Sequence, residues 1–242
     1  LLTCLGGIGL SLTSCTNESP RVDNTERKSR GYGDGEIVIS VFWPPSKGFT
    51  TDIQYDYLVE AGIDLLEWGS DPTIFTDEHT VQEALRLCNE RGLKITICDS
   101  ALAANIVGKS EGEIVELVNR YKDNKSVVGY FLGDEPANAN PYGRIARIMS
   151  REHPGCIVQL NLLPTFALED PRGHVEDWIN AAGVDNLRYL SYDQYPFGLE
   201  EGSIPQMFPN MDFIREIGLK YGVDTALYIQ SVGVVNGFRR PT

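Results

Sequence analysis

Basic charge is scarce in this chain of 242 residues: 21 Lys and Arg stand against 34 Asp and Glu, a formal net charge of −13 at pH 7. That balance argues against binding nucleic acid phosphates or an anionic membrane face. Histidine is scarcer still, and His79, His153 and His174 all fall in or beside helical patterns. With no histidine at a strand end, neither a Ser-His-Asp triad nor a His-ligated zinc is expected. The cysteines form no C-x-x-C pair and no metal-ligand spacing, so Cys88, Cys98 and Cys156 read as buried free thiols. A Gly-rich phosphate loop is also missing, since the first strand-like run is followed by "WPPSKG". No cofactor and no metal site is expected.

What is present begins with an apolar, uncharged stretch, "LLTCLGGIGLSLTSC", followed at once by the polar "TNESPRVDNTERKSRGYGDG". The stretch is too short to span a membrane and has the character of a signal-peptide core. Its end, Leu12-Thr13-Ser14-Cys15, resembles a bacterial lipobox, which implies lipid modification of Cys15. Residues 1–15 are therefore expected to be a leader and 16–35 a flexible tether. Leu at position 1 and the lack of a basic segment before it suggest a shortened leader. The expected location is the cell envelope, with membrane contact through a lipid anchor only. A buried N-terminal strand or helix is the plainer alternative.

From residue 36 strand and helix patterns alternate without a break. The strand-like runs are "EIVISVFW" (36–43), "IDLLEWG" (63–69), "LKITICDS" (93–100), "SVVGYFLGDE" (126–135), "CIVQLNLLP" (156–164), "LRYLSYDQYPF" (187–197) and "TALYIQSVG" (225–233). Near-continuous apolar runs suit parallel strands buried on both faces. Between them lie helical segments with end signals: Gly62 and Gly92 as C-terminal glycines, and Ser110 with Glu113 as a capping box. Strand starts recur roughly every 30 residues, the size of a βα unit. The expected fold over 36–242 is a (β/α)8 TIM barrel, which typically takes about 250 residues, ending here before its eighth unit. The rival is an open doubly wound sheet, which the missing phosphate loop disfavours.

In such barrels chemistry sits at the C-terminal ends of the strands. Those ends supply Trp43, Glu67, Trp68, Asp99, Asp134, Glu135, Asn161, Asp193, Gln194, Tyr195 and Gln230, with no basic residue among them. Carboxylates among aromatics suit sugars: acidic and amide groups bond the hydroxyls, and the apolar sugar faces stack on aromatic rings. Cleavage of a glycosidic bond uses one carboxyl group as acid and a second as nucleophile or base. A neighbouring carboxylate raises the acid's pKa, and Asp134 is placed to keep Glu135 protonated.

The strings "GYFLGDEP" and "SYDQYPF" resemble those of exported (β/α)8 glycoside hydrolases of gut-type bacteria. The barrel in outline resembles the large retaining clan whose acid/base glutamate ends strand four, which implies that role for Glu135. The pattern departs from the clan twice. Asp134 stands where the clan has Asn, and Gln230 stands where the strand-seven nucleophile glutamate belongs. The adjacent Asp134-Glu135 pair is also similar to that of hexosaminidases using substrate assistance. There the Asp orients the substrate's own acetamido group and the Glu is the acid. A third arrangement uses Asp193 as the second carboxylate, at about 5–5.5 Å from Glu135 for retention or about 6.5–9.5 Å for inversion.

Trp43, Glu67, Trp68, Asp99, Asn161, Gln194, Tyr195 and Gln230 are the candidate substrate-binding residues. Each has a plainer reading as core, rim or strand-end hydrogen bonding, and Asp134-Glu135 before Pro136 would also suit a helix start. Asp99, Asp134, Glu135 and Asp193 are an oxygen set that suits Mg²⁺ or Ca²⁺, but no compact loop motif accompanies them. The expected function is glycoside hydrolysis of an oligo- or polysaccharide with Glu135 as general acid. The alternative is a non-catalytic glycan-binding lipoprotein on a degenerate barrel, which Gln230 favours.

Overall fold

The computed structural model describes residues 37–67, 77–103, 105–197 and 204–231. The leader with Cys15, the tether and Trp68 lie outside these residues. Seven parallel strands run in the order β1 (Ser40–Phe42), β2 (Leu65–Glu67), β3 (Lys94–Ile97), β4 (Val127–Asp134), β5 (Ile157–Leu162), β6 (Tyr189–Gln194) and β7 (Asp224–Ile229). Each is paired in parallel with its sequence neighbour. A doubly wound sheet would reverse its order at a switch point, and this one does not. The sheet curls until its ends meet: the Phe42 ring on β1 and the Tyr228 ring on β7 have centroids 4.8 Å apart. The fold is thus a nearly closed (β/α)8-type barrel with seven strands among the described residues and no ladder joining β1 to β7.

Helices α1 (Asp52–Glu60), α2 (Glu78–Arg91), α3 (Ser100–Ala103), α4 (Glu111–Tyr121), α5 (Tyr142–Glu152), α6 (Pro171–Ala182) and α7 (Ile204–Tyr221) connect the strands. Their ends follow local chemistry. Ser110 and Glu113 form the reciprocal capping box of α4, and Gly92 closes α2 at φ 73°, a left-handed angle that only glycine adopts without strain. Asp77 and Asp170 cap α2 and α6 by accepting from the Thr80 and Gly173 N–H groups. Helix α7 runs through Pro209 with one backbone bond forgone.

Each helix buries one face against the outside of the barrel, as with Ile114, Leu117 and Val118 on α4 and Trp178 and Ile179 on α6. Each such side chain contributes about 1.5–3 kcal/mol. Helices α5 and α6 meet at Gly143, where an added Cβ would come within 2.3 Å of the Ala181 carbonyl carbon. Cys88, Cys98 and Cys156 are buried, and burial pushes each thiol up to about 12.

The inner face of the barrel is polar, which the apolar reading of the strands did not anticipate. Strand side chains alternate between faces. In β5, Gln159 and Asn161 bond inward to other strands; in β6, Ser191 and Asp193 do the same, one pleat apart. These residues form a hydrogen-bonded column that rises to the C-terminal rim.

Candidate active site

Low in the barrel, Glu67 is almost fully buried and its Oε2 accepts from Gln159 Nε2 at 2.6 Å and from the Tyr228 hydroxyl. Gln159 in turn accepts from the Thr96 hydroxyl at 3.2 Å. Burial raises the Glu67 pKa, and the hydroxyl and amide partners oppose the rise. The residues Gln159, Thr96 and Tyr228 escaped the sequence reading because they sit inside apolar runs; the signal was their spacing on one strand face. Glu67, read from its position as a sugar ligand, has its carboxylate held by protein groups.

The next layer is Asn161, also buried, which donates to Asp134 Oδ1 at 2.8 Å and accepts from Ser191 at 3.2 Å. Asp134 is solvent-exposed at the rim, but protein crowds its carboxyl. That desolvation raises its pKa, Asn161 opposes the rise, and the charge of Asp193 adds to it.

Glu135 follows directly, and in a continuing strand it would point away from Asp134, toward the helices. It does not, because its backbone is left-handed at φ 45°. Its N–H still bonds the Asn161 carbonyl at 2.9 Å, so β4 stays anchored to β5 while the side chain swings back over the mouth. Both neighbouring carboxylates therefore face the same opening. A non-glycine residue at positive φ costs about 1–3 kcal/mol, and such strain gathers at functional sites. The positive-φ non-glycine residues among those described are Trp43, Asn105 and Glu135, two of them at strand ends.

Across the opening, Glu135 meets Asp193 of β6 in a side-chain hydrogen bond. Asp193 is 4% exposed, and its Oδ1 has no conventional donor among the described residues. Burial first, then the contact with Glu135, pushes its carboxyl up to about 7, with a Tyr195 hydrogen bond opposing. The carboxyl that Glu135 contacts is thus that of Asp193, while the adjacent Asp134 is bonded by Asn161. Asp193 therefore stands in contact with Glu135 at the rim.

Several other strand-end residues are engaged in scaffolding. Asp99 accepts from the Leu102 N–H at 2.8 Å, the Tyr121 hydroxyl at 2.6 Å and Arg120 at 3.2 Å, which ties β3 to α3 and α4. Gln194 accepts from Asn210 of α7 at 3.1 Å. Gln230 brackets Phe197, accepting its N–H at 3.0 Å and donating to its carbonyl at 3.4 Å. Trp43 is the open one: the residue is 49% exposed and its ring stacks on Phe42 at 5.5 Å. Its backbone sits at φ 59° with its N–H on the Glu67 carbonyl at 3.1 Å. The structure thus brings Asp134, Glu135, Asp193 and Tyr195 together and leaves Asp99, Gln194 and Gln230 in the framework.

No family model matches the sequence, and no curated protein matches it. Among solved structures, Lactobacillus rhamnosus β-glucuronidase is similar at TM-score 0.52 and 16% identity over 83% of this chain and 36% of that one. Ruminococcus gnavus β-glucuronidase is similar at TM-score 0.55 and 9% identity over 82% of this chain and 36% of that one. The same protein in complex with D-glucaro 1,5-lactone gives TM-score 0.54 and 10% identity over 83% of this chain and 37% of that one. This chain spans 36% of the length of the first two. The structural neighbours are glycoside hydrolases, and at these identities the likeness shows a shared barrel fold.

Proposed function

We propose that this chain is a glycoside hydrolase domain that cleaves O-glycosidic bonds of a glycan with Glu135 as general acid. The observation that carries the reading is the contact between the Glu135 and Asp193 carboxyls at the C-terminal rim, with Asp193 raised by its burial and by that contact. Asp193 is the buried end of the pair and Glu135 the exposed end, so Glu135 is the member that meets a substrate. Its proton passes to the leaving glycosidic oxygen as the C–O bond breaks, and the pair is left with both carboxyls ionised. The barrel fold shared with glycoside hydrolases supports this assignment.

The second group follows by the same geometry. Gln230 is an amide bound to Phe197, and Asp193 is engaged by Glu135, so neither is taken as the nucleophile. An N-acetyl sugar supplies its own nucleophile. Its acetamido oxygen attacks the anomeric carbon as the leaving group departs, with Asp134, steadied by Asn161, orienting the amide N–H. Water then opens the ring, losing a proton to Glu135 and restoring the pair. The proposal includes export, with Cys15 carrying a lipid anchor.

Hydrolysis across aryl-glycosides with and without N-acetyl groups, beside a Glu135→Gln variant, tests the reading. Cleavage that needs the N-acetyl group and disappears in the variant is expected. Cleavage indifferent to Glu135→Gln would remove that residue from the acid role. A second reading, a glycan-binding domain without catalysis, draws on Gln230 in the place of a carboxylate. It predicts a folded protein that binds glycans and cleaves none.

A further inference from the structure

Three neighbouring strands place polar side chains in one row below the mouth. Asp134 of β4 pairs in register with Asn161 of β5, and Asn161 pairs with Ser191 of β6. The bonds run one way along this row. The Ser191 hydroxyl donates to Asn161 Oδ1 at 3.2 Å, and Asn161 Nδ2 donates to Asp134 Oδ1 at 2.8 Å. The row ends at β7, where Ser191 pairs with Ala226, a side chain with no polar group to continue it. Ser191 is 3% exposed and Asn161 1%, so bulk water does not replace a lost partner there. Asn161 serves the rim twice, because its backbone carbonyl also accepts the Glu135 N–H at 2.9 Å.

From this row we infer that Ser191 is a positioning residue: it braces the Asn161 amide and, through it, holds Asp134 at the mouth as a hydrogen-bond acceptor. The inference rests on the glycoside hydrolase reading above, in which Asp134 orients the substrate amide. An ionised carboxylate only accepts, so Asn161 must turn its NH2 to Asp134 and its carbonyl oxygen to Ser191. Without the hydroxyl that oxygen is buried with no donor, and the amide is no longer held toward Asp134. Asp134 then loses the bond that opposes the rise caused by its desolvation. The titratable groups around it, Glu135, Asp193 and Tyr195, are left in place by a substitution at Ser191.

Ser191→Ala removes the hydroxyl and Ser191→Thr keeps it, each checked for folding by circular dichroism. Carbon-13 NMR of the aspartate carboxyls, with Asp134 identified by its absence from Asp134→Asn, reads the row without turnover. Asp134 is expected to titrate at higher pH in Ser191→Ala than in the unaltered protein, and to return in Ser191→Thr. In cleavage of an N-acetyl aryl-glycoside, the acid limb of the pH profile should move the same way in Ser191→Ala. There kcat should fall about tenfold with KM within about threefold. Should Ser191→Ala not fold, Ser191→Cys, with its weaker donor, is read by the same criteria. Asp134 titrating alike in all the proteins overturns the inference, whatever the activity. A titration that moves while kcat on a cleaved glycoside does not fall overturns it as well. A titration that moves in a protein that cleaves no glycoside keeps the brace and overturns the hydrolase reading.

Discussion

Glu67 Oε2 is held from two strands at once, by Gln159 of β5 at 2.6 Å and by the Tyr228 hydroxyl of β7. Because Glu67 lies on β2, these bonds cross the barrel interior and join β2 to β5 and β7, where no backbone ladder does among the described residues. Losing one partner leaves a buried carboxyl under-satisfied, which costs about 1–3 kcal/mol. Tyr228→Phe and Gln159→Leu should each lower urea-unfolding stability by that amount, and combining them should lose less than the sum because they share one acceptor. Fully additive losses would show that the carboxyl does not couple the strands.

The Glu135–Asp193 pair sets a pH dependence. A general acid works only while protonated, so the rate on glycosides should fall as pH rises through about 7, where the Asp193 carboxyl titrates. Asp193→Asn removes the partner charge that holds the proton, and the falling limb should move to lower pH. A limb that stays in place would take Asp193 out of the pair.

The same shift has a consequence for stability, and its sign is fixed. Asp193 holds a proton in the folded state up to about 7, well above the unfolded value of about 3.9. Its contribution is full below the unfolded value and is lost as pH rises through about 7. Urea midpoints should therefore decline from pH 5 to pH 8 more in the unaltered protein than in Asp193→Asn. Equal declines would contradict the assigned shift.

Strand order and helix ends were legible because they rest on local chemistry: apolar runs, Ser110 with Glu113, and the glycine after α2. The approximate place of the site was legible too, since strand ends define the rim of a parallel barrel. What stayed hidden was the direction of each side chain. Asp99 and Gln194 end their strands as Asp193 nearly does, yet both turn to neighbouring helices. Nothing local distinguishes them, because the outcome depends on Tyr121 and Asn210, residues far along the chain. Glu135 was found for its neighbour Asp134, but the left-handed backbone that brings both carboxyls to one opening is not written in the string "GDEP".

Gln230 offers a sharp contrast between a lost nucleophile and a structural amide. A carboxylate at this position would keep the Phe197 N–H bond but face the Phe197 carbonyl with no proton to give. Gln230→Glu should therefore cost about 1–3 kcal/mol in stability above pH 6 and restore no activity. A gain in glycoside hydrolysis without loss of stability would show instead that the site awaits a strand-seven carboxylate.

Trp43 separates binding from folding. Its left-handed backbone at φ 59° is strained for a bulky residue, and its ring is half exposed over Phe42. Trp43→Gly relieves the strain and gives up the ring contact, two effects of about 1–3 and 0.5–1.5 kcal/mol that oppose each other. Trp43→Ala gives up the ring and keeps most of the strain, so it should be the less stable variant by about 1 kcal/mol. If the indole is the platform on which a sugar face stacks, both variants should weaken glycan binding alike, by about tenfold or 1.4 kcal/mol. Binding that follows stability instead, strong in the Gly variant and weak in the Ala variant, would make Trp43 a strand terminator and not a sugar contact.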